Sequence, residues 1–201
     1  DTVSVSAKIL LPLLAKNLWF LQRTDQNVKL EEIEENALLM LSKWNGDMNQ
    51  NNSEPLIFVS WLKEFQRMVM VDDLGDLYKD MPAIQPLFLE RVLRNKNGAA
   101  EWCDINQTPT VETCEQLAKR SLSVALKNLQ KRFGLIFDDW RWGDPHLAVH
   151  KAQIIGSWPL LSFFTNIVHE ISGGDNTIMM SKMLSQQNDQ FAASYGSTLR
   201  A

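Results

Sequence analysis

Residues 108–134 read TPTVETCEQLAKRSLSVALKNLQKRFG, and this stretch decides the fold. Val111, Cys114, Ala118, Leu122, Ala125, Leu129 and Phe133 recur at steps of three or four residues. That is the period of one helical face, not the two-residue alternation of a strand. Thr108 offers a cap, Pro109 suits a first turn that has no use for its N–H, and Gly134 stands where a C-terminal cap belongs. The stretch predicts a helix from about Thr110 to Phe133, with Lys119, Lys127, Asn128 and Lys131 on its solvated face.

Upstream, the same period recurs. A helix is expected over roughly Val3 to Leu21, where Ile9, Leu10, Leu13, Leu14 and Leu18 form an apolar stripe around Pro12. A second runs from about Leu30 to Lys43. Glu31, Glu32, Glu34 and Glu35 crowd its first turns, where the helix dipole favours anions, and Gly46 stops it. A third begins at Ser53 with Pro55 in its first turn and turns Ile57, Trp61, Phe65 and Met68 inward. Asn45 to Asn52 form a polar loop between the last two, and a shorter helix is expected over Pro86 to Leu93.

Downstream of Gly134 the helical period fails. Trp140, Trp142, Pro145, Trp158 and Pro159 interrupt any pattern, and Asn176 to Met183 and Phe191 to Tyr195 have the character of strands separated by the turn-rich Ser185 to Asp189. A two-stranded ribbon is marginal alone, so this end reads as part of an incomplete sheet. The expected fold is α+β and predominantly helical: a helical region over residues 1–135, a mixed Trp- and Gly-rich segment with strands over 136–201, and both in one structural unit.

Composition agrees. The 201 residues are 45% hydrophobic and 22% charged, enough for a core and too apolar for wholesale disorder. Lys and Arg number 20 against 24 Asp and Glu, and they are not clustered, which argues against a dedicated nucleic-acid binder. No apolar run approaches the ~18 residues of a membrane span. The opening Asp1-Thr2-Val3-Ser4 lacks the basic start of a signal peptide. Only 9 Gly and 7 Pro tilt the balance further from a turn-rich all-β chain.

Motifs for chemistry are sparse. No phosphate loop, dinucleotide fingerprint or serine-hydrolase elbow is present. Asp72, Asp73, Asp76 and Asp80 lack the spacing and terminal Glu of a calcium loop and read as a solvated acidic turn. His146 and His150 stand four apart, as in zinc helices, but Leu147 follows His146 where a metalloprotease carries its Glu base. A hydrogen-bonded structural role suits His146 better; His169 is the third histidine. Cys103 and Cys114, the only cysteines, are open to three readings: free thiols, a disulfide, or a Cys114 thiol activated at a helix N-terminus.

Several elements then fall into a familiar order. These are Trp102-Cys103-Asp104, Thr108-Pro109, Trp140-Arg141-Trp142-Gly143-Asp144-Pro145-His146, Gly173-Gly174-Asp175-Asn176-Thr177 and Gly196-Ser197-Thr198-Leu199-Arg200. Earlier pieces agree: Asp1 to Ala7, Trp44-Asn45-Gly46-Asp47-Met48 and Trp61-Leu62. Together they resemble the C-terminal part of the β chain of the penicillin amidase (penicillin acylase) family of N-terminal-nucleophile hydrolases, over nearly the whole chain.

The resemblance implies a fragment of an αββα fold. It also implies hydrolysis of an acyl amide, a non-peptide C–N bond, by a Ser exposed at the start of a processed β chain, with its own α-amino group as base. An Asn side chain and a backbone N–H hold the oxyanion. These catalytic groups match positions upstream of this chain; Asp1 is not that Ser, and Ser4 and Ser6 are internal, so no catalytic residue and no cofactor or metal ligand is assigned here. Trp140, Trp142, Gly143, His146, Gly173, Gly174, Thr177 and Arg200 match family motifs and are read as structural. The implied partners are the α chain and the N-terminal part of the β chain, and the chain alone is expected to be inactive. Family members are mostly exported to the periplasm or secreted, some in connection with antibiotics, and that favours a Cys103–Cys114 disulfide. The competing expectation is a non-catalytic helical module that docks another protein.

Overall fold

In the computed structural model, which describes residues 1–25, 28–81, 83–106, 108–150, 167–183 and 193–194, the helix read from residues 108–134 is α5, Cys114–Phe133. It starts later than Thr110, because Thr113 is the better cap. The Thr113 hydroxyl accepts from the Gln116 N–H while the Gln116 side chain accepts from the Thr113 N–H. Two otherwise unsatisfied donors are answered at once, and Thr108 has no such partner three residues on. Val111 is consequently outside the helix and 77% exposed. The rest of the stripe is buried from Cys114 to Leu129, and Gly134 closes the helix with a positive φ of 89°.

The other expected helices are α1 (Val5–Thr24), α2 (Glu32–Lys43), α3 (Glu54–Leu74) and α4 (Pro86–Leu93). α1 begins at Ser4, whose hydroxyl accepts from the Ala7 N–H. Its buried stripe is Ala7, Leu10, Leu14, Leu18 and Leu21; Ile9, expected inside, is 39% exposed. α3 packs along α5, α1 lies against α5 and α4, and α2 touches both α3 and α5. Trp61 is fully buried at the α3–α5 contact, where its indole N–H donates to the Ala118 carbonyl at 2.9 Å.

The expected solvated face of α5 needs one correction. Lys119 is half-buried and its Nζ lies 3.4 Å from both carboxylate oxygens of Glu34, which is only 1% exposed. Ser123 also donates to Glu34, and the Glu31 N–H reaches its Oε2 at 2.8 Å. A carboxylate removed from water requires this kind of company, and Lys119 is drawn inward to supply it.

Cys103 and Cys114 form a disulfide with a Cα–Cα distance of 5.1 Å, tying the turn before residue 104 to the start of α5. Within the loop so closed, Glu112 accepts from the Thr108 hydroxyl at 2.8 Å and from the Ile105 N–H at 3.1 Å. The Thr108 hydrogen bond, ahead of the one from Ile105, holds the Glu112 carboxyl below its ordinary range. The acidic run read as one solvated turn is divided. Asp72 and Asp73 close α3 and accept from the backbone and side chain of Asn106, while exposed Asp76 pairs with Lys79.

Among the described residues, four short strands form a sheet in the order β2-β1-β4-β3: β1 (Leu147–His150), β2 (Ile167–Glu170), β3 (Lys182–Met183) and β4 (Ala193–Ser194). β1 runs antiparallel to β2 with Leu147 opposite Glu170, and parallel to β4. The strand expected over Asn176 to Met183 survives only at Lys182–Met183. Residues 175–179 turn instead, because the Thr177 hydroxyl engages both the N–H and the carbonyl of Gly174 at 3.0 Å. His150 lies in β1, so His146 and His150 share no helical face. Trp158, Pro159, the turn over Ser185 to Asp189, Arg200 and most of Phe191 to Tyr195 lie outside the described residues.

Replacing fully buried Leu122 with Asp should lower unfolding stability by roughly 3–5 kcal/mol, read as a shifted urea midpoint, since the new carboxylate has no partner. The disulfide closes an 11-residue separation and is worth about 3 kcal/mol on the chain-entropy estimate. Non-reducing peptide mass spectrometry of protein made in an oxidising compartment should recover Cys103 and Cys114 in one linked species; iodoacetamide labelling of both without reductant would contradict the bond.

Candidate functional site

Four of the eight motif residues, Trp142, Gly143, Gly173 and Gly174, meet at the polar loop Asn45–Asn52, and His146 and Thr177 hold on to Trp142 and Gly174 behind them. The loop's backbone is what gathers them. The Trp142 N–H donates to the Asn52 carbonyl at 2.9 Å, the Gly143 N–H to Gln50 at 2.8 Å, and the Gly173 N–H to Met48 at 2.8 Å. In return the Gln50 N–H reaches the Ser172 hydroxyl at 3.0 Å. The start of the chain joins the same junction: the Met48 N–H donates to the Thr2 carbonyl at 2.9 Å, Ser4 to Gly46 at 2.8 Å, and Val5 to Asn176 at 3.0 Å. Met48, the single apolar residue of the loop, is the plug and is 2% exposed.

Each motif residue answers to a geometric demand. Gly173 has a φ of 90°, and a Cβ there would lie 2.2 Å from the Met179 carbonyl oxygen. No side chain fits. A Cβ on Gly143 would press on Gln50 and Glu170 at 3.0 to 3.1 Å. Trp142 is fully buried, donates its indole N–H to the Gly173 carbonyl at 3.0 Å, and stacks on His146 with centroids 4.3 Å apart. Trp140 faces the other way. It packs edge-on against Phe137 and donates to the Gly134 carbonyl at 3.0 Å, sealing the end of α5.

His146 is the one motif residue with catalytic potential on paper. Its Nε2 lies 2.9 Å from the Ser181 hydroxyl oxygen, and both residues are buried, at 0% and 3% exposure. The pair is polarised the wrong way for nucleophilic catalysis. Ser181 has one hydroxyl proton, and it is donated to the Ser172 carbonyl at 3.0 Å. With that proton on the Ser172 carbonyl, the bond to His146 runs from Nε2–H to Ser181, a tautomer in which the nitrogen facing the hydroxyl has no lone pair for a second proton. Ser4 and Ser6 are likewise engaged: their hydroxyls lie 2.9 Å apart, buried, with Ser4 capping α1.

Sequence reasoning placed Met48 in a family-like motif without giving it a role, and missed Ser172 and Ser181. Met48 carried a signal, an apolar side chain alone in a polar loop; the two serines carried none, since their roles depend on a contact across the chain. Among the described residues no three His, Cys, Asp or Glu side chains gather as a metal site, and no helix is long and apolar enough to cross a membrane.

A family model described as penicillin amidase matches residues 1–201 of the chain. No curated protein matches it.

Gly173→Ala should destabilise the protein by more than about 2 kcal/mol, from the backbone clash and the unfavourable φ together, as measured by urea unfolding. Gly143→Ala should cost visibly less, since one of its neighbours is the end of a Glu170 side chain that can turn away.

Proposed function

Since the chain belongs to the penicillin amidase family, we propose that its residues form the C-terminal part of the β chain of an acylase-type amidohydrolase. The bond broken is the C–N bond of an acyl amide. The nucleophile is an N-terminal Ser outside these residues, with its α-amino group taking the hydroxyl proton as the oxygen attacks the amide carbonyl. The amine leaves, and water then releases the acyl group. An Asn side chain and a backbone N–H, also outside these residues, stabilise the oxyanion.

The observation that carries this reading is the family match over all 201 residues. The junction described above supports the division of labour: the Ser181, Ser4 and Ser6 hydroxyls are buried and committed to other partners, so none is free to attack a substrate. Trp140, Trp142, Gly143, His146, Gly173, Gly174 and Thr177 then act as scaffold, and Arg200 is assigned with them from its motif alone. The partners are the α chain and the N-terminal part of the β chain, and the protein works in the periplasm or outside the cell, a placement supported by the disulfide. No cofactor is required. The acyl group accepted is decided by pocket residues that lie mainly outside this segment.

The alternative, a non-catalytic interaction module, draws support from apolar side chains on the surface of α1, where Trp19 is 56% exposed and Phe20 50%. A multi-chain acylase accounts for the same exposure without abandoning the family.

Two assays separate these readings. The purified 201-residue chain should not hydrolyse phenylacetyl or long-chain acyl amides, while the whole processed acylase should. In that whole enzyme Ser181→Ala should retain kcat within about tenfold, because loss of a true nucleophile costs a thousandfold or far more. A folded Ser181→Ala enzyme without activity would return Ser181 and His146 to the reaction.

A further inference from the structure

α1 is apolar on both sides. Its inner stripe is buried in the helical core, yet Val5, Ile9, Pro12, Trp19 and Phe20 are exposed on the opposite side. At 3.6 residues per turn these five, with Lys8, Lys16 and Arg23, fall within an arc of about 120°. A helix that is hydrophobic all round is normally covered all round. The outer face is also charged with one sign. The helix contains no Asp or Glu, Lys8, Lys16 and Arg23 are exposed, and none of the three makes an ion pair with a described residue. Arg23 instead lies over the Trp19 ring at 4.8 Å. Beside this face, Leu11, Pro12, Ala15, Trp19, Leu38 and Trp44 line a groove of about 410 Å³ between α1 and α2.

We propose that the outer face of α1 and its groove seat an acidic amphipathic segment, helical or extended, from the part of the same acylase that lies outside residues 1–201. The proposal rests on the functional reading above, which supplies a partner polypeptide. Charge complementarity names its chemistry: apolar side chains for the groove and Val5, Ile9 and Trp19, carboxylates for Lys8, Lys16 and Arg23. An anionic membrane surface would match the cations too, but fits less well. The site is concave where a bilayer is flat.

The test uses the whole processed acylase. A photo-crosslinking benzoylphenylalanine replaces Ile9, with the same group at Leu77, 65% exposed in the turn after α3, as control. Position 9 should capture a peptide of the acylase outside residues 1–201 that is rich in Asp, Glu and aliphatic residues, and position 77 should not. Capture of a second copy of residues 1–201, capture of lipid when phosphatidylglycerol vesicles are added, or no capture at all would each overturn the assignment.

Lysine acetylation of the unsubstituted enzyme gives a second reading that survives any folding defect in the variants. Lys8 and Lys16 should react at least about tenfold more slowly than Lys79 and Lys127, whose side chains are 79% and 64% exposed. Equal rates would overturn the proposal. Amide hydrolysis measured on the same sample keeps the two claims apart: an inactive enzyme with protected lysines defeats the functional reading alone, and an active enzyme with reactive lysines defeats only this one.

Discussion

The buried indole of Trp61 sets the frame for everything else. Its ring fills the contact between α3 and α5, and its N–H, taken out of water, must find an acceptor there or cost several kcal/mol. It finds the Ala118 carbonyl, with the Ser121 hydroxyl 3.1 Å away. That bond fixes the position of one helix along the other to within the reach of a hydrogen bond. Once α3 and α5 are in register, the stripe of α5 presents Leu122 and Leu129 inward, and α1 has a surface against which Leu10 and Leu14 can be buried completely. The Glu34–Lys119–Ser123 cluster repeats the device on the next layer. It offers the start of α2 one arrangement in which a buried carboxylate is satisfied, and every other placement leaves it stranded.

Backbone hydrogen bonds join the segments that flank the sheet to this helical body. Residues 45–52 form an adapter between the helices and the Trp142–His146 and Gly173–Ser181 segments, and three of its carbonyls, at Met48, Gln50 and Asn52, receive N–H groups from them. A loop can bind like a strand in this way only if its partners come very close. That explains the glycines at 143 and 174, where a Cβ would press on Gln50 at 3.0 Å and on Met48 at 3.2 Å; at Gly173 the obstacle is the Met179 carbonyl of its own segment. The two Trp side chains divide the rest of the work. Trp140 closes the end of α5, and Trp142 covers the junction while His146 stacks on it.

Most of the helical part was legible in the sequence, because a stripe repeated every three or four residues needs only local information. The departures are instructive. At Thr113 two reciprocal hydrogen bonds outweigh the Thr-Pro signal at 108–109, a contest decided by Gln116 three residues further on. Lys119 was assigned to solvent because nothing near it in sequence announces that Glu34, 85 residues away, will be buried beside it. β1 and β2 were missed altogether: Leu147–His150 follows a Trp-rich stretch without alternation, and its identity as a strand comes from pairing with Ile167–Glu170. The motif residues were recognised as a set, but the partners of His146, the Ser181 hydroxyl and behind it the Ser172 carbonyl, come from contacts across the chain.

Those partners bear on how such motifs should be read. A histidine, a serine and two tryptophans in a fixed order invite a catalytic interpretation, yet here every polar atom whose partner is described points at another part of the scaffold. The distinction lies in where the protons are committed. A nucleophile must present its proton to a base and its oxygen to a substrate, while the Ser181 hydroxyl is buried between the Ser172 carbonyl and the His146 ring, within hydrogen-bond distance of both. The same chemical logic applies to α1 in reverse. There the exposed groups are on the surface: Lys8 and Lys16 without an ion pair among the described residues, Arg23 lying over the Trp19 ring, and the apolar Val5, Ile9, Pro12 and Phe20. Commitment inward at the junction and its absence on the outer face of α1 are what a subunit built to support a site elsewhere would show, since its polar groups hold its own fold while its unpaired surface faces the chains it serves.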